Sequence, residues 1–123
     1  RIVNLVKKFN LADYILFSSF NPIALLRARR LLPQVPAGLL AVQGSGGAWA
    51  RGWLGRHFPC QALHPEIHDV TPELVHRTHN FGRRVHVYTV NQAEEMAHLF
   101  TLGVDGIFTD DPPLALQVLS SFP

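Results

Sequence analysis

One cysteine in 123 residues excludes an intramolecular disulfide. Cys60 also lacks the spaced partners of a metal or redox motif, so it reads as a buried, inert thiol in a reducing compartment, the cytoplasm. Charge of one sign is scarce as well. Eleven Lys and Arg against nine Asp and Glu leave a formal net charge of +2, too little for a polyanion surface, and nucleic acid is not an expected partner. The single basic cluster, Arg27, Arg29 and Arg30, reads as a solvated helix face. Long apolar runs are missing. Leu31 to Val42 is interrupted by Pro33, Gln34, Pro36 and Gly38, whereas a membrane span needs roughly 20 continuous apolar residues. No segment has the charged start and following apolar run of a signal peptide. No glycine-rich nucleotide fingerprint follows a strand, and Gly44-Ser45-Gly46-Gly47 reads as a flexible loop. The first residue is Arg1 and the only methionine is Met96, which suggests a fragment or a processed product.

What the chain does have is a repeating unit. Short apolar runs alternate with longer amphipathic segments. Strands are expected at Tyr14 to Phe17, Ala37 to Ala41, Gln61 to His64, Val85 to Val90 and Gly106 to Thr109. Helices are expected at Arg1 to Phe9, Pro22 to Leu32, Ala48 to His57, Pro72 to Phe81 and Gln92 to Leu102, with one more starting at Asp111-Pro112. Asn21-Pro22, Thr71-Pro72 and Asp111-Pro112 share one grammar, a capping side chain followed by a proline that has no N–H to leave unbonded. Asn91-Gln92-Ala93-Glu94 has the spacing of a capping box, which makes Asn91 an expected helix cap. Gly82 and Gly103 stand where helices end and positive φ is needed.

Repeated strand and helix units argue for an α/β fold with a parallel sheet, in one domain spanning residues 1–123. Periodicity leaves two architectures open. An open doubly wound sheet fits this length, whereas a complete (β/α)8 barrel needs roughly 250 residues, so a barrel would have to be incomplete.

Four segments in order carry more than periodicity. Ile15-Leu16-Phe17-Ser18-Ser19-Phe20-Asn21-Pro22, Leu63-His64-Pro65, Val87-Tyr88-Thr89-Val90-Asn91 and Gly103-Val104-Asp105-Gly106-Ile107-Phe108-Thr109-Asp110 together resemble the glycerophosphodiester phosphodiesterases. The resemblance implies an incomplete TIM (β/α)8 barrel, about strands 4 to 8 with their helices. It also implies hydrolysis of glycerophosphodiesters to glycerol 3-phosphate and an alcohol, with a divalent cation, Mg or Ca, as cofactor of the intact enzyme. The family's catalytic histidine lies in a His-Arg-Gly motif on the first strand, and its metal carboxylates lie on the second and third. None of these motifs occurs in this chain; Arg51-Gly52 follows Ala50 and not a histidine. No catalytic residue and no metal ligand is therefore assigned, and no cation is expected on these residues alone. Whether the chain is an enzyme stays open at this point.

The same resemblance points to Phe20, His64, Tyr88 and Asn91 as substrate-binding residues, at or just beyond strand ends, where barrels bind ligands. The family more often has Trp at the Tyr88 position. Of the seven histidines, His64 is singled out as a pocket donor or a proton carrier near neutral pH. His64 and His68 flank Glu66, but Pro65 and the residue order rule out a His-Glu-x-x-His helix. His76 and His79 read as solvent-facing on a helix. Asp111 reads as a cap, and Asp110 has no assigned role. Two readings follow: the closing portion of a phosphodiesterase, inactive without the motifs it lacks, or a non-catalytic half-barrel module that self-associates through its open sheet edges.

Overall fold

The structure is a computed structural model that describes residues 1–122. Helix α1 (Ile2–Phe9) leads into strand β1 (Phe17–Ser19), α2 (Pro22–Leu31) and β2 (Ala37–Ala41). A π-helical segment at Ala50–Leu54 and the short α3 (Gly55–His57) precede β3 (Ala62–Pro65). Then follow α4 (Pro72–Asn80), β4 (Arg84–Val87), α5 (Ala93–Thr101), β5 (Gly106–Ile107) and α6 (Pro112–Ser120). The five strands form one sheet in the order β1-β2-β3-β4-β5, every pair parallel.

That order separates the two architectures. A doubly wound sheet reverses its strand order at a switch point, whereas a barrel adds each strand beside the last. Here each strand lies next to its predecessor without reversal, so the chain is an arc of a barrel. Alternation along each strand assigns the two faces. Ala37, Leu39 and Ala41 of β2 and Leu63 of β3 pack with Leu25 of α2 and Leu74 of α4. Val85 and Val87 of β4 pack with Val75 of α4 and with Met96 and Leu99 of α5. The intervening residues, Gly38, His64 and His86, occupy the opposite, inner face.

Helix starts follow the capping grammar. The Asn21 carboxamide oxygen accepts from the amides of Ile23 and Ala24, Thr71 Oγ1 from Leu74, and Asp111 Oδ1 from Leu114. Gly82 and Gly103 end their helices at φ 67° and 83°, where a side chain would be strained. The exception is Asn91. Helix α5 is capped by Gln92 without a side-chain bond, because the Asn91 carboxamide is committed elsewhere.

Four segments of the strand and helix pattern differ from expectation. Residues 12–14 close a 3-10 turn through the bond from Tyr14 N–H to the Leu11 carbonyl, and Tyr14 is 83% exposed; sheet pairing begins only at Phe17, whose N–H meets the Pro36 carbonyl at 2.8 Å. The helix expected over Ala48 to His57 is kinked at Gly52 (φ −96°, ψ −113°). Strands β4 and β5 stop at Val87 and Ile107, although single bonds continue the pairing to Val90 and Phe108. The basic cluster is solvated at Arg27 and Arg30, while Arg29 Nη1 donates to the Pro59 carbonyl. Cys60 is buried, and no described helix is long and apolar enough to cross a membrane.

Leu39 has no exposed surface and joins β2 to two helices. Leu39→Ala is expected to cost about 2–5 kcal/mol in urea unfolding.

Candidate functional site

Because every strand is parallel, all carboxyl ends emerge on one side, where barrel ligands bind. Phe20 follows β1, Glu66 follows β3, Tyr88 follows β4 and Asp110 follows β5. Phe20 and Tyr88 meet edge to face at 6.2 Å between ring centroids, closing across three strands. The Tyr88 hydroxyl donates to the Ala41 carbonyl at 2.7 Å, so its ring lies over the strand ends from β4 back to β2. Its proton is committed to that carbonyl, and partial burial, then the Glu66 and Asp69 carboxylates, raises its pKa. Phe20 remains 47% exposed and offers an open apolar face.

Asn91 joins the last two loops. Its Oδ1 accepts from the Asp110 amide at 3.0 Å and from Thr109 Oγ1 at 3.2 Å, and its Nδ2 donates to Asp110 Oδ2 at 2.8 Å. Here is the reason it does not cap α5: two donors on the neighbouring loop compete successfully for the same oxygen.

Gly44 to Gly47 is a 3-10 turn held from both sides, not a loose loop. Arg51 donates to the carbonyls of Val42 (2.7 Å) and Gly44 (2.6 Å) and to Asp69 Oδ2 (2.8 Å), which also accepts from the Gly44 amide at 2.9 Å. Next to it, Glu66 accepts from the backbone and ring of the fully exposed His68, and that carboxylate raises the imidazole pKa.

Below the rim lies a polar row that sequence reasoning saw only at His64. This histidine sits within β3 and has no exposed surface. Its Nδ1 is 2.8 Å from Ser18 Oγ, and its Nε2 is 3.1 Å from His86 Nδ1. Phe108 meets the ring edgewise at 5.0 Å. Glycine makes the room. A Cβ on Gly38 would lie 2.1 Å from the His64 ring, and one on Gly106, paired with His86 in the sheet, would lie 3.1 Å from that ring. Burial and then the neighbouring His86 push the His64 pKa down to about 4. His86 is lowered as well, by burial first, with Asp105 opposing. Both rings are neutral at pH 7, and a chain of one donor and one acceptor per contact satisfies them. The proton-carrier role expected of His64 near neutral pH conflicts with this state. The signal for the row was present in the two-residue alternation Gly38, His64 and His86 read across strands, which needs the register to be visible.

Of the other histidines, His76 is exposed, and His79 Nε2 bonds Asp105 Oδ2 at 2.8 Å across the convex side. Partial burial works to raise the Asp105 pKa, but the Val85 amide and His79 outweigh it and hold the carboxyl low. A divalent cation needs several free oxygen ligands. Glu66, Asp69 and Asp110 already accept from donors of this chain, and among the described residues no three His, Cys, Asp or Glu side chains converge.

A sequential parallel arc with its polar and aromatic side chains gathered at the strand carboxyl ends defines part of a (β/α)8 barrel. Residues 1–114 match the glycerophosphoryl diester phosphodiesterase family, and the chain belongs to it. It is 29% identical over 119 residues to a glycerophosphodiester phosphodiesterase of Caldanaerobacter subterraneus subsp. tengcongensis, covering 97% of this chain and 48% of that protein. A solved structure from Silicibacter pomeroyi superposes with a TM-score of 0.85 at 30% identity, over 97% of this chain and 42% of the other. An Oleispira antarctica phosphodiesterase, solved in complex with the product sn-glycerol-3-phosphate, gives 0.72 at 30% identity over 86% of this chain and 42% of its own. The chain spans about half the length of the curated relatives it matches.

Two outcomes are expected. Gly38→Ala drives a methyl into the His64 ring and should destabilise the fold by about 1–3 kcal/mol, while Gly46→Ala, which meets nothing within 4 Å, should stay within about 0.5 kcal/mol. For pH, the folded His64 pKa lies below its unfolded value of 6.5, so between about 4 and 6.5 the unfolded chain binds more protons. Stability is complete above pH 6.5 and falls as pH drops towards 4, by roughly 1.4 kcal/mol per unit at most from this group. Urea midpoints measured from pH 7 to 4 should show that slope, and His64→Gln should flatten it.

Proposed function

We propose that residues 1–123 form one partial-barrel domain, the closing portion of a glycerophosphodiester phosphodiesterase that releases glycerol 3-phosphate and an alcohol. The observation that carries this reading is the sequential parallel arc with the family match along it, at about half the relatives' length. In this reading Phe20 and Tyr88 form the apolar wall of the substrate pocket. Asn91 holds the rim that carries Asp110, and His64, neutral and buried, sets the pocket floor. Bond cleavage depends on a His-Arg-Gly histidine and on a divalent cation, Mg or Ca, held by carboxylates that these residues do not include. The 123 residues alone are then inactive. The product bound to the Oleispira antarctica phosphodiesterase supports the same substrate class for this chain.

Glycerophosphocholine and glycerophosphoethanolamine assays separate the outcomes. Residues 1–123 should give no hydrolysis above background; chelator-sensitive turnover by them alone would overturn the reading. In a protein that also supplies the His-Arg-Gly strand, Phe20→Ala should raise KM about tenfold with little change in kcat, consistent with loss of an apolar contact of about 1–2 kcal/mol.

The alternative, a non-catalytic module that self-associates, draws support from the ends of the arc. β1 and β5 each pair on one side only, and α1 exposes Ile2 (64%) and Phe9 (59%). Sedimentation of residues 1–123 at several concentrations tests it, and a stable dilute monomer would count against it.

A further inference from the structure

On the convex side, away from the His64 row, a cavity of about 310 Å³ opens between the segment Ala50–His57 and helix α4. Its size lies at the lower end of small-ligand sites, roughly 300–1,000 Å³. Four arginines line it, Arg51, Arg56, Arg77 and Arg83, together with Trp53 and Phe81, and no lining residue is acidic.

The four are not equivalent. Arg51 is paired with Asp69 and also bonded to two carbonyls. The other three have no carboxylate partner among the described residues. Arg77 donates only to the Arg51 carbonyl, at a long 3.3 Å, and Arg83 Nη2 donates to the Arg56 carbonyl at 2.9 Å. Arg56 lies over the Phe81 ring at 4.9 Å, and its guanidinium donates no hydrogen bond among the described residues. Arg83 Nη1 is buried and has no hydrogen-bond partner among the described residues. Guanidinium groups repel one another, and a buried donor without an acceptor is costly. Three arginines without a carboxylate partner around one cavity form the complement of a multivalent oxyanion. Arginine's planar fork matches phosphate oxygens in particular. The flat faces of Trp53 and Phe81 and the Leu63 side chain supply an apolar flank for the rest of such a ligand.

We infer that this cavity is a binding site for a small phosphate ester, its dianionic phosphate held by Arg56, Arg77 and Arg83 and its organic part set against Trp53 and Phe81. The site lies over β3, two strands from either end of the arc, so strands added at β1 or β5 leave it open. It does not rest on the phosphodiesterase reading, and its test does not involve hydrolysis.

Phenyl phosphate and inorganic phosphate, titrated into the full chain bearing Trp49→Phe, are followed by Trp53 fluorescence and by calorimetry. Saturable binding of phenyl phosphate is expected, with a Kd on the order of 0.1–1 mM, weakened by salt and competed by inorganic phosphate. Arg77→Gln and Arg83→Gln should each weaken it about tenfold or more. Arg83 also braces the Arg56 carbonyl, so Arg56→Gln, which breaks no hydrogen bond among the described residues, provides the same test with that brace left in place. No saturation at about 10 mM, or an unchanged Kd in Arg56→Gln and Arg77→Gln, would overturn the site. Phosphatidylcholine vesicles containing phosphatidic acid distinguish a lipid headgroup from a free ester. Binding to those vesicles without binding of phenyl phosphate would overturn the small-ligand assignment.

Discussion

Parallel pairing of consecutive strands is the constraint from which the rest follows. A strand can lie parallel beside its predecessor only if the chain returns over the outside, so every connection here runs across one face and every strand ends on the same side. The apolar residues of β2, β3 and β4 then face the returning helices, and the inner face receives what remains. Inner positions that would be solvated on an open sheet are crowded on an arc. Small residues beside large ones resolve the crowding, as Gly38 does for His64 and Gly106 for His86.

The pair of His64, fully buried, and His86, half-buried, shows how far that crowding decides chemistry. Two imidazoles 3.1 Å apart between nitrogens cannot both be imidazolium ions without opposing two N–H groups and two charges. Burial settles the matter in favour of the neutral forms, with Ser18 completing the chain of bonds on the β1 side. The row is thus an internal polar strut joining β1, β3 and β4.

Much of this was legible in the residues. Helix starts announced themselves where a short polar side chain preceded proline, because that signal is local and nothing distant competes for Asn21, Thr71 or Asp111. Asn91 carried an equally clear local signal and was misread, since Thr109 and Asp110, about eighteen residues on, took its oxygen. Tyr14 was misplaced for a related reason: an apolar run announces burial, and only the sheet register says where pairing begins. The incomplete barrel rested on resemblance, because periodicity cannot distinguish sequential strand order from a reversed one. The convex arginines are four residues spread over the sequence from Arg51 to Arg83, and only the packing of one helix against one kinked turn brings them together.

The bond from the Tyr88 hydroxyl to the Ala41 carbonyl has a geometric consequence of its own. A phenol is a rigid rod, and anchoring its far end two strands away fixes the separation between the ends of β2 and β4. Backbone twist allows a range of curvature, but a strut of constant length selects one value. The mouth of the arc is therefore gauged by a single side chain, and an indole at this position, whose N–H lies nearer the backbone than a phenol's hydroxyl, would demand a different anchor.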